Sequence, residues 1–304
     1  MIFVLSRNIV ISFVILFFAV IASYTSPGKA AAENKSITIG LLPEMNVFKQ
    51  RQRFKPLVSY LADNLGIEVN LSILSRYGNI IQRIEEEKID AAFLGSFTGA
   101  LAIRQLGVEP LARPINMDGT STYFGHIFVR KDSGIESVAD MQGKSLALVE
   151  KATTAGYLFP LAWFKRNGVD DIATYFSEHF FAGSHDATID AVLSGQATVG
   201  AGKNTIYDRV RASNPRIDQE LIILARSPRV PSNGLCVRPG IDEQYKTKLK
   251  ELLLNLHHTP KGVEILEKMG AKRFVETSRE DYQPVLDLAA EAGINMQNYK
   301  YYNP

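Results

Sequence analysis

The feature that most limits the fold is a run of three apolar strands separated by two amphipathic helices, all within the first third of the chain. Residues 36–43 alternate into a buried strand, after which Phe54, Leu57, Val58, Leu61 and Leu65 recur at helical spacing until Gly66 stops the helix. Residues 67–74 form a second strand. Ile80, Ile81 and Ile84 share one face of a helix over 77–87, and 89–95 is a short third strand. This βαβαβ order predicts parallel strands with right-handed crossovers, covered by helices, with any ligand outside the strands' carboxyl ends.

The pattern then restarts. Strands are expected at 123–130, 144–149, 173–181, 197–202 and 221–224, with helices at 155–167, 186–194 and 204–212. Residues 131–135 and 227–231 interrupt it and suit two hinge crossings. A strand at 235–237 and helices at 243–257, 261–269 and 283–292 complete the chain. The expected class is α/β with two lobes, each a mostly parallel sheet flanked by helices. The first lobe would span 34–131, the second 132–226, and the segment 227–304 would return to the first.

A length of 304 residues, 46% hydrophobic, is enough for two such lobes. The 34 basic and 32 acidic residues are interspersed, giving a formal charge of +2 and no dedicated nucleic-acid surface. Cys236 is the only cysteine, which excludes an intramolecular disulfide, a multi-cysteine metal site and a lipidated cysteine at a signal cleavage point. His257 and His258 are adjacent, so they face different sides of a helix, and no third ligand accompanies them. Neither a metal nor a cofactor is expected.

At the N-terminus Arg7 precedes a run over 9–22 in which only Ser12 is polar, followed by small residues that include Ala30, Ala31 and Ala32. This is a secretory signal pattern over 1–32, cleaved near Glu33. A retained membrane anchor is the alternative, although the run is shorter than a spanning helix needs.

The candidate binding residues lie where strands end. Thr153 and Thr154 stand at a strand-to-helix junction, where unpaired amides and the helix dipole favour an anion; an ordinary helix cap is the simpler use of such residues. Asn46 follows the first strand, and Ser96 and Thr98 follow the third. Glu150 is either a hydrogen-bond acceptor for an amine or protonated oxyanion, or a solvated strand end. His185 is either a donor to a ligand or a partly buried helix-start residue, with Ser184 or Asp186 as cap.

Four segments in order, Asp132-Ser133-Gly134-Ile135, Asp140-Met141-Gln142-Gly143-Lys144, Ala152-Thr153-Thr154-Ala155-Gly156-Tyr157 and Phe181-Ala182-Gly183-Ser184-His185-Asp186, carry a resemblance over residues 37–274. The chain resembles the substrate-binding proteins of phosphonate, phosphite and phosphate ABC transporters, which have the type II periplasmic binding fold. The resemblance implies an oxyanion held by Thr153, Thr154 and Ala155, a donor from His185, and Tyr123 lining the cleft. It also implies capture of a small oxyanion for an ABC permease, by a monomeric protein that is periplasmic or, with an uncleaved signal, held at the outer face of the membrane.

Two departures limit the ligand. The family's usual Gly-Pro-x-x-Tyr turn is replaced by Gly95-Ser96-Phe97-Thr98-Gly99, so Ser96 or Thr98 is expected to donate instead of the tyrosine. An acid common in the family near Ala197-Thr198-Val199-Gly200 is absent, which disfavours an aminoalkyl phosphonate unless Glu44 or Glu150 supplies the charge. A sensing module not coupled to transport is the alternative function. Catalysis is not expected, because the adjacent Ser184, His185 and Asp186 cannot converge as a triad.

Overall fold

The computed structural model describes residues 35–77 and 79–301; the signal-peptide reading of 1–32 lies outside them. No helix among the described residues is long and apolar enough to cross a membrane. Strand β1 (Ser36–Leu41) pairs in parallel with β2 (Glu68–Ile73) on one side and β3 (Ala91–Leu94) on the other. The helices Val47–Leu65 and Asn79–Glu85 make the crossovers. Asn46 starts the first of these helices, its Oδ1 accepting from the Phe48 and Lys49 amides at 3.1 and 3.3 Å. Gly66 ends it at φ 67°, a left-handed conformation that costs a residue without Cβ little.

Strands β4 (Glu109–Asn116), β12 (Gly234–Val237) and β13 (Ala271–Glu276) extend this sheet to the order β13-β4-β12-β3-β1-β2. A second sheet contains β6 (Gly125–Arg130), β7 (Ser145–Leu148), β8 (Glu178–Phe181), β9 (Val199–Lys203) and β10 (Leu221–Arg226), in the order β10-β6-β9-β7-β8. Between the sheets, β5 (Thr122–Tyr123) pairs antiparallel with β11 (Val230–Pro231). The chain leaves the first half and returns to it along this short ladder.

Alternation builds each core. In β3, Ala91 and Phe93 face Phe54, Leu57 and Leu61, whereas Ala92 and Leu94 face Phe97 and Leu101. In the second sheet Ile127, Val129, Leu146 and Leu148 pack with Phe159 and Phe164, while Phe128 and Ala147 pack with Ile189 and Val192. Helices therefore cover both faces of both sheets, and only the strand ends are left to build a site. Cys236 lies within the first core, 2% exposed.

Three expectations are corrected. The sheets are mixed rather than mostly parallel: β12 pairs antiparallel with β3 and β4, and β6 does so with β9 and β10. A strand that enters a sheet from the opposite half arrives running against its neighbours. Second, the strand before 131–135 does not pair with the first sheet. Gly125–Arg130 already pairs within the second sheet, ahead of that interruption, and the pairing of β5 with β11 lies between the two sheets in chain order. Third, the strand expected over 173–181 is a one-turn helix, Ile172–Tyr175, followed by β8. Asp171 caps that turn, its Oδ1 accepting from the Ala173 amide at 2.8 Å.

Candidate functional site: a ring of hydroxyls between two helix starts

The turn after β7 sets the first wall. The Leu158 amide reaches back to the Thr153 carbonyl at 3.0 Å, and the Phe159 amide bonds the Thr154 carbonyl, so the turn over Thr154–Leu158 is one residue wider than an α-helical turn. The helix Phe159–Arg166 continues from it. Such wide turns cost hydrogen-bond geometry and recur at functional sites. Gly156 makes this one possible: a Cβ there would stand 2.3 Å from Val149 Cγ2, so no side chain fits against the end of β7.

The opposite wall is the start of the helix Ser96–Leu106, immediately after β3. Its first residues meet Thr154 directly. Thr154 Oγ1 accepts from the Phe97 amide at 2.8 Å and shares a 2.7 Å hydrogen bond with Ser96 Oγ, which shares another of 2.7 Å with the Tyr123 hydroxyl. Thr98 Oγ1 donates to the Ala152 carbonyl at 2.8 Å. Ser96, Thr98, Tyr123, Thr153, Thr154 and Ala155 are each at most 3% exposed. Two helix N-termini thus face one another across a buried hydroxyl cluster.

Glu150 lies at the side of this cluster and is 4% exposed, which rules out a solvated strand end. Its Oε2 accepts from the Tyr77 amide at 3.0 Å, while its carbonyl takes the Thr153 hydroxyl at 2.6 Å. Burial pushes the Glu150 carboxyl up to about 7, against the opposing pull of the Tyr77 amide and Arg76. The folded protein therefore binds more protons here than the unfolded chain between the ordinary value of 4.5 and about 7, and stability falls as pH rises through that window. Relative to Glu150→Gln, the wild type is expected to lose up to about 3 kcal/mol across the window. Urea unfolding of both proteins at about pH 5 and about pH 8 measures this, and a pH-independent difference would contradict it.

His185 is 3% exposed and opens the helix His185–Leu193. Its Nδ1 accepts from the Lys203 amide at 3.2 Å, which assigns the proton of the neutral ring to Nε2 and makes that nitrogen a donor. Burial lowers its pKa to about 4, so the ring is neutral at physiological pH. The Tyr77 ring meets it edge-on, with centroids 6.3 Å apart.

Tyr77 is 2% exposed, and its hydroxyl is a buried group with no partner. Burial first, and then the negative charges of Glu44 and Glu150, keep this phenol protonated. An unpaired buried donor is costly, and this one is available to a ligand acceptor.

The remaining wall carries charge. Lys203 Nζ, at the carboxyl end of β9, donates to Glu44 Oε1 at 2.7 Å and Asn233 Oδ1 at 2.8 Å, and stands 4.4 Å from the centre of the Tyr123 ring. Burial would raise the Glu44 carboxyl, but the Lys203 ammonium holds it down at about 2, with His185 and Arg53 adding to the effect. Burial pulls Lys203 below its usual range. Removing one partner leaves the other charge buried alone, so Lys203→Met is expected to cost about 3 kcal/mol, and adding Glu44→Gln to recover most of it. A double-mutant cycle on unfolding free energies tests this. Additive losses would show that the pair is not coupled.

Eight of the nine expected residues converge here: Thr153, Thr154, Ala155, His185, Tyr123, Ser96, Thr98 and Glu150. Asn46 does not join them, since its side chain is occupied as the exposed helix cap and its amide donates to Asp186 Oδ2 at 3.2 Å. Sequence reading missed Tyr77, Lys203 and Asn233. Lys203 had a signal, being the one charge at the end of the apolar strand Val199–Lys203, where ligands gather. Tyr77 had none, because it reads as the first residue of the following helix.

Chemically, the cluster offers neutral donors from several directions and one carboxyl poised to give or take a proton. That set matches an oxyanion with peripheral oxygens and one titratable hydroxyl. The Ser96 and Thr154 hydroxyls have each other, Tyr123 and an amide as partners, so neither is paired with a base that would make it a nucleophile.

The sequence matches, over residues 39–282, the family described as ABC transporter, phosphonate, periplasmic substrate-binding protein. It is 25% identical over 274 residues to the phosphonates-binding periplasmic protein of Escherichia coli, covering 88% of this chain and 80% of that one. Among solved structures, a binding protein component of an ABC phosphonate transporter from Pseudomonas aeruginosa superposes with a TM-score of 0.79 at 21% identity, over 86% of this chain and 87% of the other. PhnD1 from Prochlorococcus marinus in complex with methylphosphonate gives 0.77 at 21% identity, over 86% and 99%. With two sheets joined by a double crossing and a family match over most of its length, the chain belongs to the periplasmic substrate-binding proteins of phosphonate ABC transporters.

Proposed function

We propose that this protein captures a small phosphorus oxyanion between its two sheet-bearing halves and delivers it to an ABC permease. The observation that carries the reading is Thr154: one hydroxyl from the second half meets Ser96 Oγ and the Phe97 amide from the first. An oxyanion entering there exchanges these bonds for its own and ties both halves together, and a ligand that prefers the joined arrangement drives closure. The halves act as lobes, the first spanning 36 to about 122 with the return over 232–301. The protein works as a monomer on the outer side of the inner membrane, binds no nucleic acid and catalyses no reaction.

Lys203 narrows the ligand. Its ammonium is buried and already satisfied by Glu44 and Asn233, so a ligand ammonium brought beside it meets like charge and finds the Glu44 carboxylate already committed. Phosphite, phosphate or a short alkylphosphonate fits better than an aminoalkyl phosphonate. Isothermal calorimetry with phosphite, phosphate, methylphosphonate and 2-aminoethylphosphonate tests the reading. Saturable binding of at least one of the first three, tighter than the last, is expected; no binding of any of them overturns the proposal.

A further inference from the structure

A cavity of ≈ 480 Å³ adjoins the hydroxyl cluster, sharing Glu44, Lys203 and Asn233 of its charged wall but none of Ser96, Tyr123 or Thr154. That volume is ordinary for a small-molecule site. Leu41, Phe54 and Phe93 give it apolar lining. Two guanidinium groups from opposite halves also line it, Arg53 on the helix Val47–Leu65, 5.6 Å from the centre of the Phe54 ring, and Arg209 on the helix Asn204–Ser213. A methyl group built on Gly270 would stand 3.7 Å from Arg209 Nη2 and 3.9 Å from Arg53 Nη2, so one small group at that spot reaches both.

These cations are poorly compensated. Among the described residues neither has a carboxylate at salt-bridge distance, and Glu44, whose charge acts on both, is committed to Lys203. Arg53 donates to the Met269 carbonyl through Nε at 2.9 Å and through Nη2, and Arg209 Nη1 donates to the Met45 sulfur at 3.5 Å. Asp118 and Asp208 also line the cavity, but both are exposed to solvent and so are screened. Burial, with the neighbouring Arg209 second, brings Arg53 down to about 10. Two guanidiniums facing each other across the seam oppose its closure unless an anion lies between them.

We propose that this cavity is a second ligand site, for a small organic anion whose acidic group sits between Arg53 and Arg209 and whose apolar body lies against Leu41, Phe54 and Phe93. Because the two arginines come from different halves, such an anion favours the closed arrangement independently of the hydroxyl cluster.

Benzoate and phenylphosphonate serve as probes, titrated calorimetrically into the wild type, Tyr77→Phe and Arg209→Met. Binding of at least one probe to the wild type is expected, retained within about threefold in Tyr77→Phe, which removes a hydroxyl that neither lines this cavity nor bonds across the halves, and weakened tenfold or more in Arg209→Met. If Arg209→Met does not fold, Arg209→Lys, which keeps the charge but loses the fork, is expected to weaken binding at least threefold. No binding of either probe overturns the site, as does binding that survives the Arg209 change. Loss in Tyr77→Phe with retention in Arg209→Met places the probe in the hydroxyl cluster and also overturns it.

Discussion

Thr154→Val is expected to lower affinity for a phosphorus oxyanion roughly 100-fold, which corresponds to about 2.7 kcal/mol, the scale of a hydrogen bond to a charged group lost together with a misplaced neighbour. Valine keeps the β-branched shape but presents a methyl where Ser96 Oγ and the Phe97 amide now meet an oxygen. The affected groups lie on both sides of the cleft, so the change harms ligand contact and closure together. Stability of the free protein is expected to fall by only about 1–2 kcal/mol, because opening returns the Phe97 amide to water. Calorimetry and urea unfolding on one preparation check both numbers. An affinity within threefold of the wild type would place the ligand elsewhere.

Tyr77→Phe is expected to separate binding from stability by sign. The tyrosine hydroxyl is buried without a partner, so removing it relieves an unsatisfied group and should leave the free protein as stable as before, or more stable by about 1 kcal/mol. Ring packing against His185 is kept. Affinity for the oxyanion should nevertheless drop roughly tenfold or more, since the phenol is the donor with nothing else to bond. A merely structural tyrosine would give the reverse pattern, with lower stability and unchanged affinity. Thermal melts with and without methylphosphonate report both effects.

The strand ends that form the site were legible because the first βαβαβ run has clear periodicity, and ligand residues follow from where such strands stop. Ser96, Thr98, Thr153 and Thr154 stand at those stops in the folded protein. The return strands were harder to read. In β13 only Ala271 and Phe274 are deeply buried, three residues apart, because the pairing with β4 shifts register between Ala271 and Arg273. That spacing imitates a helix. In β4, Pro110 and Pro114 argue against a strand interior, yet β4 lies between β12 and β13 with irregular pairing on both sides.

Charge inside the cleft was the other blind spot. Lys203 and Glu44 are 159 residues apart, and no local pattern announces that they meet. The same holds for Arg53 and Arg209, whose approach depends on two helices from different halves facing one seam. Glu150 illustrates the limit in one residue: sequence left it open between contact and solvent, and only its burial against the Tyr77 amide decides.

The most direct test of the central claim is a crystal structure of the protein grown with methylphosphonate. The account predicts the phosphonyl oxygens at hydrogen-bond distance, ~2.5–3.0 Å, from Thr154 Oγ1, Ser96 Oγ and the Tyr77 hydroxyl, with the two halves closed on the ligand. Ligand density elsewhere, with the Ser96–Thr154 and Ser96–Tyr123 hydrogen bonds unchanged, would contradict it.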